Sequence, residues 1–342
     1  MTVRFPEPLR PGDRIGVTAP SSGVPSPLRP RLDVAVRTVK ERGYDVVVGE
    51  CMDGSTHVSA PAAERAAELT AMLTDPSVRA VVPPWGGETA IDLLPLLDWN
   101  ALREAEPTWV VGFSDISTVI TPLTLMTGVA TLHGNNLLDT PYHVPDGLVG
   151  WLGVVAMERG TTFTQRPVGR YRSAGWVDYA EQPEVSELVL DAKGRWTRLD
   201  GDGPVTVEGR LVGGCIETVS NLMGTPYGDV ASFAERDAPK GLLVYVEASE
   251  DGALEICRNL HGMRLAGFFD AANAVVVGRT SAPDAASLTQ HEAVMDALGG
   301  LGVPVIADLE CGHVPPYMPI VNGALGRLEY AGDGGSLTQT LA

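Results

Sequence analysis

The chain has 342 residues, of which 44% are hydrophobic and 20% charged, an ordinary globular composition with room for two separately packed domains. A formal net charge of −18 without a lysine- or arginine-rich cluster argues against nucleic acid and anionic membranes as partners. No apolar run approaches the roughly 20 residues of a spanning helix, and we see neither a secretory signal nor a C-x-x-C pair. We therefore expect a cytoplasmic protein without a zinc site or a disulfide framework.

The first half of the chain alternates between strand and helix patterns. Short apolar runs of β-favouring residues predict strands, whereas apolar residues recurring on one helical face predict helices. Repeated βαβ units predict a parallel sheet covered by helices on both faces, with ligands bound beyond the carboxyl ends of its strands. The predicted strands are 14–19, 44–48, 79–82 and 108–113, and the predicted helices are 28–42, 60–74 and 117–126.

After residue 167 the pattern changes. Residues 168–203 contain few apolar runs and many turn formers, so we interpret them as a connecting or lid segment. Alternation then resumes and predicts a second, mixed α/β domain. Its predicted strands are 205–212, 242–246, 274–278, 303–307 and 327–330, and its predicted helices follow Gly214 and cover 253–261 and 285–298. We expect an N-terminal domain over 1–167 and, over 168–342, the connecting segment with the C-terminal domain.

The stretch GFSDI places Ser114 between a predicted strand and a predicted helix. A strand-to-helix turn exposes a hydroxyl and presents backbone N–H groups to a developing oxyanion, which suits a serine nucleophile. Gly112 matches the first glycine of the nucleophile-elbow pattern, but Ile116 stands where the second glycine usually lies. On this segment alone, a helix N-cap role for Ser114, with Asp115 complementing the helix dipole, is the favoured alternative.

A serine nucleophile needs a histidine base. His313 is the best-placed histidine, because it lies in a glycine- and proline-rich loop after an apolar strand. His133, just beyond the helix that follows Ser114, ranks second. A solvated or structural role is the default for the remaining histidines, which are His57, His143, His261 and His291.

The base usually needs a carboxylate that orients it, and backbone donors are needed beside the nucleophile. Glu247 ends a predicted apolar strand, which places an acid at a strand terminus. Gly86 and Gly87 directly follow another predicted strand and would let a substrate approach the main chain, although adjacent glycines also make plain turns. The alternatives for the carboxylate are Glu217, Glu250 and Asp251.

Together these features resemble the LD-carboxypeptidase family of serine peptidases, and within it the branch of the microcin C immunity protein. The resemblance runs along nearly the whole chain, and the order and spacing of its segments make it specific. The segments are LRPGDRIGVTAPSS, ERAAELTAMLTDPSVRAVV, GFSDIS, GRLVGGCIETVSNLMGTP, LLVYVEASED and DLECGHVPPYMPIVNGALGRLEY.

The resemblance implies a site and a fold. Ser114 would be the nucleophile, His313 the general base and Glu247 the acid that orients His313, with the backbone N–H groups of Gly87 and Asp115 as the oxyanion hole. It also implies a flavodoxin-like N-terminal domain and a smaller, β-rich C-terminal domain that carries the acid and the base. It further implies a homodimer with no metal, and we expect no cofactor.

The sequence departs from the family pattern at several positions. The carboxypeptidase branch typically has an arginine before the glycine pair and Tyr-Gly after it, whereas here Trp85 precedes and Glu88-Thr89 follow, as in the immunity branch. Cys215 stands where an asparagine is commoner. His133 is followed by Gly134-Asn135, where Gly-Pro is more usual.

The immunity branch hydrolyses the amide that joins an acidic aminoacyl group to a nucleotide analogue, with aromatic side chains of a connecting loop stacking on the base. Trp176 and Trp196 lie in the corresponding loop, and we predict that they bind substrate beside Gly86. A small core under a long loop explains the two tryptophans equally well.

We therefore carry three functional hypotheses. The first is a serine hydrolase acting on an aminoacyl or peptidyl nucleotide, in detoxification or self-immunity. The runner-up is an LD-carboxypeptidase that removes the terminal D-Ala of murein tetrapeptide. The third, a catalytically idle protein that sequesters small ligands, requires a broken triad, which this sequence does not have.

Overall fold

A computed structural model describes residues 3–332 and 334–342, and strands alternate with α-helices along its first half. The alternation confirms the βαβ pattern expected from the sequence. The strands are β1 (Arg14–Val17), β2 (Asp45–Val48), β3 (Val78–Val81), β4 (Trp109–Gly112) and β5 (Thr131–His133). The helices are α1 (Arg29–Glu41), α2 (Ala62–Thr74), α3 (Trp99–Glu104), α4 (Ser117–Thr127) and α5 (Trp151–Val155).

These five strands pair in parallel in the order β2-β1-β3-β4-β5, which is the strand order of flavodoxin-like sheets. Helices cover both faces of the sheet. Leu32 of α1 packs in one core with Val17, whereas Leu69 of α2 and Ile120 of α4 pack in a second core with Val81. Sheets of this kind bind ligands at the carboxyl ends of the strands, near the point where the strand order reverses.

The second half is richer in strands, as expected. Its strands are β6 (Thr162–Gln165), β7 (Arg170–Tyr171), β8 (Ala192–Lys193), β9 (Thr197–Arg198), β10 (Val205–Cys215), β11 (Leu242–Glu247), β12 (Ala272–Gly278), β13 (Val305–Leu309), β14 (Ile320–Asn322), β15 (Leu325–Tyr330) and β16 (Gly335–Thr340). Its α-helices are α6 (Ile216–Val219), α7 (Val230–Asp237), α8 (Ala253–Leu265) and α9 (Gln290–Leu298).

A mixed sheet organises this half, in the order β6-β16-β15-β10-β11-β12-β13-β9. The strands from β10 to β13 are parallel to one another, and antiparallel strands extend the sheet on both sides. The expected fold class, a flavodoxin-like α/β unit with a mixed β-rich second unit, is therefore confirmed. In the described residues the second sheet contains more strands than the first, although we expected the smaller unit there.

The two sheets exchange strands. Strand β14, late in the chain, pairs antiparallel with β5 and extends the first sheet, so that Ile320 lies opposite His133. Strand β6, early in the chain, pairs with β16 in the second sheet. The loop between β13 and β14 is thereby held beside the first sheet, although it leaves the second. The domain boundary at residues 167 and 168 stays a prediction.

Local signals explain where the helix boundaries differ from the prediction. Helix α9 begins at Gln290 and not at residue 285, because Thr289 caps it: its hydroxyl accepts a hydrogen bond from Glu292 N, and the Glu292 carboxylate accepts one from Thr289 N. The short strands β5 and β14 and helix α7 were not predicted from the sequence. No helix in the described part of the chain combines the length and apolar character needed to span a bilayer.

Candidate active site

Ser114 lies in the turn between β4 and α4. Its φ of +63° falls in the left-handed region that side-chain-bearing residues seldom adopt, as expected for a nucleophile elbow. A Cβ at Gly112 would lie 2.7 Å from Ile116 Cγ2 and 2.9 Å from Asn136 Oδ1, so the turn requires glycine there. The Ser114 side chain does not cap the helix, which removes the N-cap alternative. Instead, Ser114 lines a cavity of about 510 Å³.

The glycine pair after β3 lies against the nucleophile. A Cβ at Gly86 would come within 3.0 Å of Ser114 Oγ, and one at Gly87, where φ is +145°, within 2.3 Å of Ser21 Oγ. Both residues line the cavity. The N–H of Gly87 donates no hydrogen bond within the described residues. An unoccupied backbone donor therefore lies on the cavity that Ser114 lines, directly after the glycine that approaches the serine, as an oxyanion hole requires.

The Asp115 side chain joins three loops at the strand ends. Its buried carboxylate accepts hydrogen bonds from Ser21 Oγ at 2.5 Å, from Ala90 N at 2.9 Å and from Thr118 Oγ1 at 3.2 Å. These contacts tie the loops after β1 and β3 to the turn that carries Ser114. The Asp115 carboxylate is structural, so only the backbone N–H of this residue is a candidate for the oxyanion hole.

His313 and Glu247 form a buried pair. Nδ1 of His313 lies 2.7 Å from Oε2 of Glu247, and a Cβ at Gly312 would come within 2.3 Å of that oxygen. Burial, the largest single effect, lowers the pKa of His313, but the charge of Glu247 and its hydrogen bond outweigh it and the pKa is raised. Burial conversely raises the pKa of Glu247, yet His313 and His133 hold it below its ordinary range. Glu247 is therefore ionised and holds the imidazole in place.

His133, the second-ranked base, faces the acid and not the serine. Its Nε2 lies 3.5 Å from Oε1 of Glu247, and neither atom makes a hydrogen bond of good geometry in the described chain. The imidazole is fully buried and does not line the cavity. Its Nδ1 lies 3.8 Å from Cys311 Sγ. Glu247 thus lies between two histidines, of which only His313 reaches the cavity.

The other candidate carboxylates have different partners. Oε1 of Glu217 accepts hydrogen bonds from the backbone N–H groups of Ser249 at 2.7 Å, Glu250 at 3.1 Å and Asp251 at 3.3 Å. Glu217 thereby holds the turn that follows Glu247. Because no hydrogen bond joins Glu217, Glu250 or Asp251 to His313 in the described chain, the geometry selects Glu247 among the four candidates.

The two tryptophans occupy different environments. Trp176 is 55% exposed, lines the cavity and meets the His313 ring edge to face with the ring centres 6.2 Å apart. Trp196 is 1% exposed, and its Nε1 donates a hydrogen bond of 2.7 Å to Glu310 Oε2. Trp196 does not line the cavity, so our expectation that it contacts substrate is corrected: it packs in the core, as the alternative interpretation held.

Three residues that the sequence analysis did not select also line the cavity: Asn136, Asp139 and Tyr179. Asn136 Oδ1 accepts a hydrogen bond from Phe113 N at 3.3 Å and so holds the end of β4. Tyr179 donates a hydrogen bond of 2.5 Å to Asp139 Oδ1. Asn136 and Asp139 follow β5, so the strand-end rule would have found them had that three-residue strand been predicted.

Two groups of described residues bring thiol, imidazole and carboxylate donors within 4.8 Å of one another. In the first group, Glu247 is hydrogen-bonded to His313, and burial raises the pKa of the Cys215 thiol, which therefore stays protonated. In the second group, the histidine Nε2 lies 2.7 Å from the aspartate. Hydrogen bonding accounts for both arrangements, and the absence of a metal stays a prediction. The groups are Cys215, Glu247 and His313, and Cys257, His261 and Asp296.

Comparison with known families defines the class. Residues 15–134 match the LD-carboxypeptidase N-terminal domain, and residues 208–328 match the LD-carboxypeptidase C-terminal domain. The chain belongs to the LD-carboxypeptidase family of serine peptidases and is a hydrolase of that type, as the resemblance predicted.

Similar proteins fall on both branches of the family. A putative carboxypeptidase of Streptomyces coelicolor is 30% identical over 97% of this chain and 95% of its own length. The microcin C7 self-immunity protein MccF of Escherichia coli is 22% identical over 97% and 95%. A probable murein peptide carboxypeptidase of Bacillus subtilis is 26% identical over 95% and 92%.

Solved structures show the same fold. The MccF structure in complex with aspartyl sulfamoyl adenosine superposes with a TM-score of 0.81 at 20% identity, covering 98% of both chains. A muramoyltetrapeptide carboxypeptidase from Oxalobacter formigenes superposes with a TM-score of 0.69 at 19% identity, covering 96% of this chain and 98% of the other.

Proposed function

We propose that this chain is a cytoplasmic serine hydrolase that cleaves an amide bond in aminoacyl- or peptidyl-nucleotide compounds, giving detoxification or self-immunity. One observation carries the proposal: strand ends bring Ser114 and His313 to the same cavity, with His313 hydrogen-bonded to the buried Glu247. A nucleophile, a base and an orienting acid in this arrangement are what acyl transfer requires.

In the proposed mechanism, Ser114 Oγ attacks the amide carbonyl carbon while Nε2 of His313 takes the hydroxyl proton. The N–H groups of Gly87 and Asp115 stabilise the oxyanion of the tetrahedral intermediate. His313 then gives its proton to the leaving nitrogen, the C–N bond breaks, and the acyl group remains on Ser114 as an ester. Water, deprotonated by His313, attacks that ester, the bond from the acyl carbon to Ser114 Oγ breaks, and His313 returns the proton to Oγ as the acid is released. Throughout, Glu247 accepts from Nδ1–H and keeps Nε2 facing the serine.

A nucleotide-bearing substrate is favoured by the wall of the cavity. Trp176 presents an exposed indole beside His313, and an aromatic face can stack on any nucleobase without matching hydrogen bonds. MccF, a relative over nearly the whole chain, has been solved with aspartyl sulfamoyl adenosine bound. Both points support a substrate that carries a nucleobase.

The alternative is an LD-carboxypeptidase that removes terminal D-Ala from murein tetrapeptide. The similarity to a probable murein peptide carboxypeptidase of Bacillus subtilis supports this alternative. That substrate ends in a carboxylate, and a carboxylate is usually bound by arginine or lysine. Neither residue type is among the described residues that line the cavity, where Trp85 precedes the glycine pair. This charge pattern favours the nucleotide hypothesis.

We also propose a homodimer, on the family resemblance, which light scattering on the purified protein would test.

The reaction is tested by incubating wild type and Ser114→Ala with aspartyl sulfamoyl adenosine and, separately, with murein tetrapeptide. Cleavage of the nucleotide alone, lost in the variant, supports the proposal. Cleavage of the tetrapeptide alone replaces it with the carboxypeptidase alternative, and equal activity in the variant removes Ser114 from both.

A further inference from the structure

Asp139 is a buried carboxylate on the cavity wall, and it has no role in the mechanism proposed above. Its side chain lies in the 3-10 turn after β5, is 6% exposed, and lines the same cavity as Ser114 and His313. Oδ1 accepts the hydrogen bond from the Tyr179 hydroxyl, whereas Oδ2 accepts none from the described residues. One oxygen of a buried side chain that lines the cavity therefore has its hydrogen-bonding capacity unused.

No cation within the described chain pairs with this carboxylate. The nearby guanidinium of Arg31 stacks 4.4 Å from the centre of the Tyr179 ring and donates to the backbone carbonyls of Leu138, Pro183 and Val185. Arg31 forms no ion pair with Asp139, and its remaining nitrogen has no hydrogen-bond partner. A buried carboxylate without a paired cation is unfavourable, and burial accordingly raises the pKa of Asp139 to about 6.

The surroundings are suited to a positive charge. The cavity lining contains the acids Glu88 and Asp178 in addition to Asp139, and no lysine or arginine among the described lining residues. Aromatic rings make up much of the rest of the wall, and their faces attract cations. These rings belong to Trp85, Phe113, Trp176 and Tyr179.

We propose that Asp139 binds the protonated amino group of the aminoacyl or peptidyl substrate, so that the cleft selects substrates with a free amine. The inference rests on the proposed function, because that function supplies an acyl group carrying an ammonium. An ammonium has three N–H donors and can satisfy Oδ2 directly. Since Asp139 shares the cavity with Ser114, the contact would also position the scissile carbonyl. Substrates whose amine is absent or acylated would lose this contact with Asp139.

The experiment measures binding to a Ser114→Ala host, which cannot turn the ligands over. Alanyl sulfamoyl adenosine and propionyl sulfamoyl adenosine differ only in the amine, and calorimetry gives both dissociation constants. We expect the alanyl ligand to bind about 10- to 100-fold more tightly, the usual range for a hydrogen bond to a charged group. Adding Asp139→Asn should remove most of that preference, and adding Tyr179→Phe should reduce it while leaving the carboxylate in place.

Asp33→Asn is the matched control, because Asp33 is an exposed acid of α1 outside the cavity lining, and it should preserve the preference. Equal binding of the two ligands to the host overturns the inference whether or not Asp139→Asn folds, and so does a preference that survives Asp139→Asn.

Turnover by the native enzyme separates the failure of this inference from the failure of the proposed function. Hydrolysis of both ligands with the same KM leaves the proposed function standing and removes the inference, whereas hydrolysis of neither removes the nucleotide substrate and the inference with it.

Discussion

The two walls of the cleft are built differently. The catalytic wall consists of short turns at the ends of packed strands, where Ser114 follows β4 and Glu247 ends β11. The other wall includes Trp176 and Tyr179 from the segment over 168–203, which holds only short strands. Strand ends fix side chains through the core, whereas the segment positions its residues through individual contacts such as the Tyr179 to Asp139 hydrogen bond. We therefore expect chemistry to depend on the first wall and substrate choice on the second.

Ser114→Ala should have the largest effect. Loss of the nucleophile is expected to lower kcat on the order of 10⁴- to 10⁶-fold, while thermal stability stays near that of wild type because the hydroxyl makes no hydrogen bond within the described residues. Steady-state kinetics and a thermal melt measure the two quantities. Retained turnover would contradict a serine-based mechanism.

Glu247→Gln should come next. An amide cannot stabilise the imidazolium or hold Nδ1–H as a carboxylate does, so kcat is expected to fall on the order of 10³- to 10⁴-fold with little change in KM. Glu217→Gln is the matched control, because Glu217 binds backbone N–H groups and not His313. If the two variants lost activity equally, a general loss of structure would explain the result, and the orienting role of Glu247 would be contradicted.

The two tryptophans compare the walls directly. Trp176→Ala should weaken binding of a sulfamoyl adenosine about 5- to 150-fold without changing stability, because an exposed stacking face is lost. Trp196→Phe should leave binding intact but lower the free energy of unfolding by about 1–3 kcal/mol, because Glu310 loses its buried donor. Calorimetry and urea denaturation on both variants measure the two effects. Weaker binding in Trp196→Phe together with lower stability in Trp176→Ala would contradict the different roles of the two tryptophans.

The smallest effect concerns pH. His313 must be neutral to accept a proton, so kcat/KM should rise as pH passes upward through its pKa, which lies above the ordinary value. The Glu250 charge contributes to that raised pKa, so Glu250→Gln should move the acid limb of the profile slightly to lower pH. Added salt should shrink the difference from wild type. A shift to higher pH would contradict the electrostatic account.

The division between the two walls also separates the residues that could be predicted from the sequence from those that could not. Ser114, Glu247 and His313 each lie where an apolar run gives way to a turn, and such transitions are visible in one dimension. Trp176 and Trp196 have similar sequence surroundings, so nothing in the sequence indicated that one is exposed and the other buried against Glu310.

The remaining features depended on pairing between distant segments. Strand β5 is only three residues long and is completed by β14 from the far end of the chain, so neither strand gave a signal of its own. Without β5, Asn136 and Asp139 could not be placed at a strand end. Their roles became visible only when the exchange of strands between the two sheets was known.

The most direct test of the central claim is to locate the acyl group during turnover. Wild-type enzyme and its substrate would be quenched with acid within milliseconds, and the protein would be digested and mapped by mass spectrometry. The mechanism predicts an added acyl mass on the peptide that contains Ser114, absent in Ser114→Ala. An adduct on another residue, or the same rate of turnover in Ser114→Ala, would contradict it.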